Sequence, residues 1–370
     1  MPIDRLLITG AAGFLGNAIV RELIPRLESS DDPLIEIRLL DVDGDGLPEH
    51  RRIEPFVGSI TDTSLITKAC DGVDAVIHCA SLIDWGNVSE ETLRGVNVGG
   101  TSLLLDTARQ AGVRSFVYTS SMDVVCGREP VVNVTESAGY PQPLDNLYCE
   151  TKAEAEQLVL EYDDHVRGNR PQDEPDPTAR MRTTALRPCG MYGEADPYHV
   201  KNVLDVVRGG KLTARPGDGT ALFEHVYVGN VAHAHVKALE RVDLQDPDVC
   251  GQAFFITDDT PALNFLEFME PIVEGVGLSL PPRNRRVPYP VMWIAAVASE
   301  LWALVGKPFG VPPPVLTRSS VRFICRTHTF DGSKARRCLG YAPKYGWDES
   351  LERTIAWWRE HAGLQRKDAA

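Results

Sequence analysis

Short apolar runs alternate with helix-length segments through the first half of the chain. RLLITG at 5–10, IEIRLLD at 35–41, DAVIHCAS at 74–81, SFVYTSS at 115–121 and TTALRP at 183–188 are apolar almost throughout. A strand with one wet face alternates apolar and polar positions, whereas a strand covered on both faces does not. The rhythm of strand, helix, strand therefore predicts an α/β architecture, a doubly wound parallel sheet with helices on both sides. From about residue 190 the strand runs thin out into helices and loops, with Pro-rich breaks at 281–290 and 312–314. This divides the chain into a sheet domain over 1–189 and a smaller lobe over 190–370, with segments near 223–257 returning to the sheet domain. The charged, Pro-rich stretch 163–182 reads as an exposed insertion without function.

At 370 residues the chain exceeds a single ordinary core, which agrees with one large domain and an appended one. A formal net charge of −14 excludes recognition of nucleic acid through its phosphates, because there is no basic field to release counterions. The eight cysteines show no CxxC spacing and lie mostly in apolar runs, so they read as reduced, buried thiols. No leader-like segment precedes the first strand, and a cytoplasmic location is expected. The longest apolar segment, 290–305, is short of the roughly 20 residues that cross a bilayer and carries Glu300. Its simplest reading is a core or substrate-pocket helix; its sharper reading is a peripheral membrane contact.

Gly10-Ala-Ala-Gly13-Phe14-Leu15-Gly16 follows the first predicted strand and opens a predicted helix. Glycines there let the backbone turn tightly against a pyrophosphate, whose charge rests on the helix N-terminus. The second strand ends in Asp41, 25 residues beyond Gly16, where a carboxylate accepts the adenosine ribose hydroxyls and repels a 2′-phosphate. The pattern is that of a Rossmann-type sheet binding NAD, although Arg51 and Arg52 leave NADP open. A calcium loop starting at Asp41 would need a carboxylate at its twelfth position and finds Arg52.

Tyr148 and Lys152 stand four apart at the start of a predicted helix, on one face. A phenol is a poor base near neutrality unless a cation stabilises its phenolate, and Lys152 is placed to do so. Thr119, Ser120 and Ser121 end a strand at the ligand edge of the sheet, where a hydroxyl can steady a substrate oxygen as it gains charge. His78 reads as a packed imidazole and Asn97 as a buried amide. His233 and His235 lie two apart on different helix faces and cannot share a metal; no metal site is expected.

Taken together, TGAAGFLG, HCAS, VNVGGT at 96–101, YTSS at 118–121, YCETK at 148–152, LRPCGMYG at 186–193, FEHVYVGNVAHAH at 223–235 and LGYAPKYGWDESLERTIAWW at 339–358 resemble the extended short-chain dehydrogenases/reductases. Within them, the chain is similar to the 3β-hydroxysteroid dehydrogenase family, close to the sterol-4α-carboxylate 3-dehydrogenases. The resemblance implies catalytic Ser121, Tyr148 and Lys152. It places Gly10, Gly13, Phe14, Leu15, Gly16, Asp41, Asp62, Ala80, Tyr148, Lys152 and Pro188 around NAD. It also implies a hydrophobic, steroid-like substrate and a homodimer paired through the helices at 92–111 and after Tyr148. Thr151 stands where many members have Ser, and Met122-Asp123 lacks the Asp-Glu pair of nucleotide-sugar dehydratases. Rival readings are a long-chain 3-keto acid reductase, a nucleotide-sugar epimerase, or an NADH-binding regulator.

Overall fold

All five apolar runs form strands, and every residue of Ala75–His78 and Ser115–Thr119 is buried. The computed structural model describes residues 3–84, 88–164, 181–306, 314 and 316–361, so most of the 163–182 insertion lies outside the described residues. The central sheet contains β1 (Arg5–Thr9), β2 (Glu36–Asp41), β3 (Ile53–Val57), β4 (Ala75–His78), β5 (Ser115–Thr119), β6 (Arg182–Pro188) and β7 (Gln252–Ile256). Its order is β7-β6-β5-β4-β1-β2-β3, with every pairing parallel. The strand order reverses between β1 and β4, which opens a crevice at their carboxyl ends.

Two strands escape the apolar-run reading. β3 is an edge strand of sequence IEPFV; an edge tolerates Pro55 because one side of its backbone needs no ladder partner. β7 adds to the sheet beside β6, so the chain re-enters it well beyond residue 190.

The helices that position the site are α1 (Phe14–Glu28), α2 (Thr63–Cys70), α3 and α4 (Leu147–Glu161). Helix α3 is composite: Glu90–Arg94 continues through a π-helical stretch, Gly95–Gly100, into Thr101–Gln110. Beyond residue 190 come α5 (Val200–Arg208), α6 (Val228–Asp243), α7 (Phe265–Gly275), α8 (Tyr289–Gly306), α9 (Arg318–Cys325) and α10 (Trp347–His361). Helix α6 packs along α1 and β5, its buried face running from Val228 to Val242. Further out, Phe223, Phe265, Phe268 and the buried ring of His225 make an aromatic core; His225 stacks on Phe268 with centroids 3.6 Å apart.

Helix α8 does not belong to a core. Only Ala296 and Gly306 are buried along its 18 residues, which overturns the core-helix reading of the 290–305 segment. Its contact is with α9, where Glu300 accepts from the Arg318 side chain and the Arg322 guanidinium lies 5.5 Å over the Trp293 ring.

Candidate active site

The glycine turn leaves no room for side chains. Gly10 has φ +70°, and a Cβ there would stand 2.6 Å from the Ala80 amide nitrogen; at Gly16 it would stand 2.1 Å from the Gly10 carbonyl. No side chain caps α1 at Gly13, so the amides of its first turn are left to an anionic ligand. Asp41 ties the end of β2 to this turn: one carboxylate oxygen accepts the Ala12 N–H at 3.0 Å, the other the Asp43 N–H at 3.1 Å. Asp43 accepts in turn from the amides of Asp45 and Gly46, so the aspartates of the calcium-like motif brace their own turn. The Asp62 carboxylate caps α2 through the Leu65 N–H, while its neighbours Ser59 and Ile60 line the adjoining cleft.

That cleft, about 400 Å³, runs from Gly10, Gly13, Phe14, Leu15, Gly16 and Asp41 past Ala80 to Ser121, Tyr148, Lys152 and Pro188. Of the residues expected around NAD, only Asp62 is absent from its lining. Beneath it, buried polar groups fix the strand ends. Thr101 donates to the Asn97 carbonyl at 2.7 Å, so it must accept from Nε2–H of His78, and Nδ1 of His78 then accepts from Thr9 at 2.6 Å. Burial holds this imidazole neutral, with a pKa lowered to about 3. Asn97 grips Leu82 through both its N–H and its carbonyl and donates to Thr151 at 3.0 Å, joining the cleft wall to α4. A π-helical stretch places it there, a departure from α-helical geometry that often marks functional sites.

Helix α4 starts at an Asn146 cap that accepts the Cys149 N–H, which sets Tyr148 in its first turn and Lys152 one turn on. Lys152 is 2% exposed; its ammonium donates to the Thr119 carbonyl at 2.6 Å and sits 4.3 Å from the centre of the Tyr118 ring. Burial lowers its pKa to about 7, against the pull of Cys79, Glu156 and Asp123. Burial likewise pushes the Tyr148 phenol well above its ordinary value, and Asp123 adds to this, while the nearby Ser121 hydroxyl opposes it. Desolvation thus governs the phenol, and one of the three Lys152 ammonium protons goes to a backbone carbonyl.

Ser121 lines the cleft with Tyr148 and meets Asp123, donating to its carboxylate at 2.8 Å and accepting its N–H at 3.2 Å. Ser120, the alternative hydroxyl, is buried with no partner among the described residues. Four contributors are not marked for these roles by the sequence. The Thr119 carbonyl is invisible because any residue supplies one. Cys79 and His235 both hydrogen-bond the Thr119 hydroxyl, His235 from 116 positions away. Asp123 had a signal, a carboxyl two residues after the catalytic hydroxyl, that was weighed only against elimination chemistry.

A glycine turn, an acid closing β2 and a Ser-Tyr-Lys set at one sheet edge define a site of the short-chain dehydrogenase/reductase type. The sequence model of the 3-beta hydroxysteroid dehydrogenase/isomerase family matches residues 7–288, and the chain belongs to that family. It is 32% identical to a 3 beta-hydroxysteroid dehydrogenase/Delta 5→4-isomerase of Mycobacterium tuberculosis over 96% of this chain and 90% of the relative. It is 31% identical to the decarboxylating sterol-4-alpha-carboxylate 3-dehydrogenase of Mus musculus, over 94% and 89%. Among solved structures, the fold matches a short-chain dehydrogenase/reductase superfamily protein of Agrobacterium tumefaciens with bound NAD, at 21% identity and a TM-score of 0.68 over 98% of this chain and 99% of the other.

Proposed function

We propose that this chain oxidises the 3β-hydroxyl of a steroid or sterol to a ketone with NAD, or runs the reverse. The observation that carries the reading is that Ser121, Tyr148 and Lys152 line the same cleft as the glycine turn. Bound NAD would supply the hydride acceptor. The Gly10–Gly16 turn would take its pyrophosphate and Asp41 its adenosine ribose. Tyr148 exchanges the hydroxyl proton, Lys152 holds positive charge one helical turn away, and Ser121 steadies the substrate oxygen. The names of the relatives at 31–32% identity support the substrate class. The test is hydride transfer to NAD across hydroxysteroids, long-chain 3-hydroxy acids and nucleotide sugars. Turnover confined to hydroxysteroids is expected; a preference for either other class would replace the reading, and cofactor binding without turnover would favour a regulator.

Two statements about assembly go with it. A homodimer would pair α3 and α4 across a two-fold axis; the helices lie side by side, Arg94 of α3 bridging Glu150 and Glu154 of α4. Light scattering at micromolar concentration should give twice the chain mass. Helix α8 would rest in a lipid surface, with Val291, Ile294, Leu301, Trp302, Leu304 and Val305 each more than half exposed. Exposed Arg285 precedes it, a cation placed for anionic headgroups on a chain of net charge −14, while Arg283 and Arg318 at its two ends are ion-paired to Glu270 and Glu300.

A further inference from the structure

The Ser121 hydroxyl has a single proton to give, and Asp123 takes it. Its oxygen accepts the Asp123 N–H at 3.2 Å, and its own proton goes to the Asp123 carboxylate at 2.8 Å. In that arrangement Ser121 can offer nothing to a substrate oxygen. A ketone being reduced needs two donors as its oxygen gains charge, and Tyr148 is only one of them. We propose that Asp123 is a positioning residue that sets the direction of the Ser121 proton: as a neutral acid it donates to Ser121, which frees the serine hydroxyl to donate to the substrate oxygen. As a carboxylate it holds the serine proton and removes the second donor. The inference rests on the dehydrogenase reading of the site.

The surroundings favour the neutral form of this carboxyl more than water does. Asp123 is largely shielded from solvent, and burial and the neighbouring Asp145 raise its pKa above the ordinary carboxylate range, while Ser121 and Lys152 oppose the shift. From its own turn Cys126 faces it, and from α4 come Tyr148, Cys149 and Lys152. From the end of β6 it is met by Cys189. On the remaining side lies a small polar cavity shared with Asp145, Arg322, Arg326 and His328. The Arg322 guanidinium is ion-paired to Asp145, and His328 is kept neutral by burial, its pKa lowered to about 4. A positive charge nearer to Asp123 would fix it as a carboxylate; these neighbours leave it free to titrate.

The test is NADH-dependent reduction of a 3-ketosteroid followed from about pH 5 to about pH 9, with NADH affinity measured alongside. As Asp123 ionises, kcat/KM should fall by about 10²- to 10³-fold, the effect of removing one donor to a developing oxyanion. Asp123→Asn donates to Ser121 at every pH, so this step should vanish, whereas steps belonging to Lys152 or Tyr148 should remain. Ser121→Ala should lose the same step from a lower plateau, since no hydroxyl is left to turn, and adding Asp123→Asn to it should change the profile no further. A step that persists in Asp123→Asn or in Ser121→Ala, or a parent profile with no step, overturns the proposal. A second readout needs no turnover: the infrared carbonyl band of protonated Asp123, identified by its loss in Asp123→Asn, should shift in Ser121→Ala. If no ketone is reduced, the dehydrogenase reading fails and the infrared band alone decides; an unshifted band overturns the inference.

Discussion

Helices α4 and α8 reverse the usual relation between polarity and burial. In α4 a lysine is 2% exposed and Glu156 is fully buried against Arg187; in α8, Trp302 is 71% exposed and Leu304 69%. Each buried polar group of α4 has a partner that repays its desolvation: the Thr119 carbonyl for Lys152, a two-pronged guanidinium and the Tyr140 hydroxyl for Glu156. The outward apolar side chains of α8, Trp302 and Leu304 among them, lack such cover among the described residues. Burial thus follows from what a side chain can be paired with, and composition by itself misjudges both helices.

The largest expected effect lies in α4. Tyr148→Phe keeps the ring and removes the proton path, so NADH affinity should stay within a few-fold of the parent while kcat falls by about 10²–10⁴-fold. Stopped-flow NADH binding and steady-state turnover would separate the two. More than a tenth of parental activity in the variant would place the proton elsewhere.

Next comes a pair of leucines that contrasts α8 with the core directly. Leu104 in α3 is fully buried, and Leu104→Ala should cost about 2–5 kcal/mol in a denaturant titration. Leu304→Ala in α8 should stay within about 0.5 kcal/mol. Vesicle co-sedimentation should invert that ranking: Leu304→Glu with Trp302→Glu should weaken binding to anionic vesicles at least tenfold, by order of magnitude of the lost apolar burial, and leave stability untouched. A double variant that sediments with vesicles as the parent does would leave the exposed face of α8 without its lipid partner.

The same contrast marks what the sequence could disclose. The apolar strand runs, the glycine turn, Asp41 and the i, i+4 spacing of Tyr148 and Lys152 are local patterns whose physics closes within a few residues, and the structure brings those positions to one cleft. Strand β3 was not legible because Glu54 and Pro55 spoil its apolar run, and only its edge place makes them tolerable. Helix α8 was legible as a helix but not in its surroundings, because a stretch apolar on all sides reads alike in a core and at a lipid surface. The Thr119–His235 bond and the Lys152–Thr119 bond depend on packing between distant segments, which no local spacing encodes.

A smaller effect is expected at the opposite end of the cleft from α4. Asp41→Ala should weaken NAD and strengthen NADP, moving the preference by about 2–4 kcal/mol through lost charge-assisted bonds and relieved phosphate repulsion. Because Asp41 also accepts the Ala12 and Asp43 amides, melting temperature must be followed with both affinities. Unchanged affinities for both cofactors would remove Asp41 from the ribose.

The smallest effect per residue comes from the buried imidazoles that lock the strand ends and have no counterpart in α8. His235 is fully buried, donates from Nδ1 to the Val231 carbonyl, and accepts the Thr119 hydroxyl at Nε2. Burial lowers its pKa to about 4, below the value near 6.5 of an unfolded histidine. Between those values the unfolded chain binds the extra proton, so stability is full above about pH 6.5 and declines as pH falls toward about 4. By linkage the loss for this residue between about pH 7.5 and about pH 5.5 is on the order of 1 kcal/mol. His235→Gln cannot take up that proton. The stability gap between parent and variant, measured by denaturant titration at the two pH values, should therefore shift by that amount in favour of the variant at the lower pH. A gap that does not move would mean that His235 titrates alike in the folded and unfolded chain, and that the Thr119 hydroxyl beside Lys152 is held by something other than a neutral imidazole.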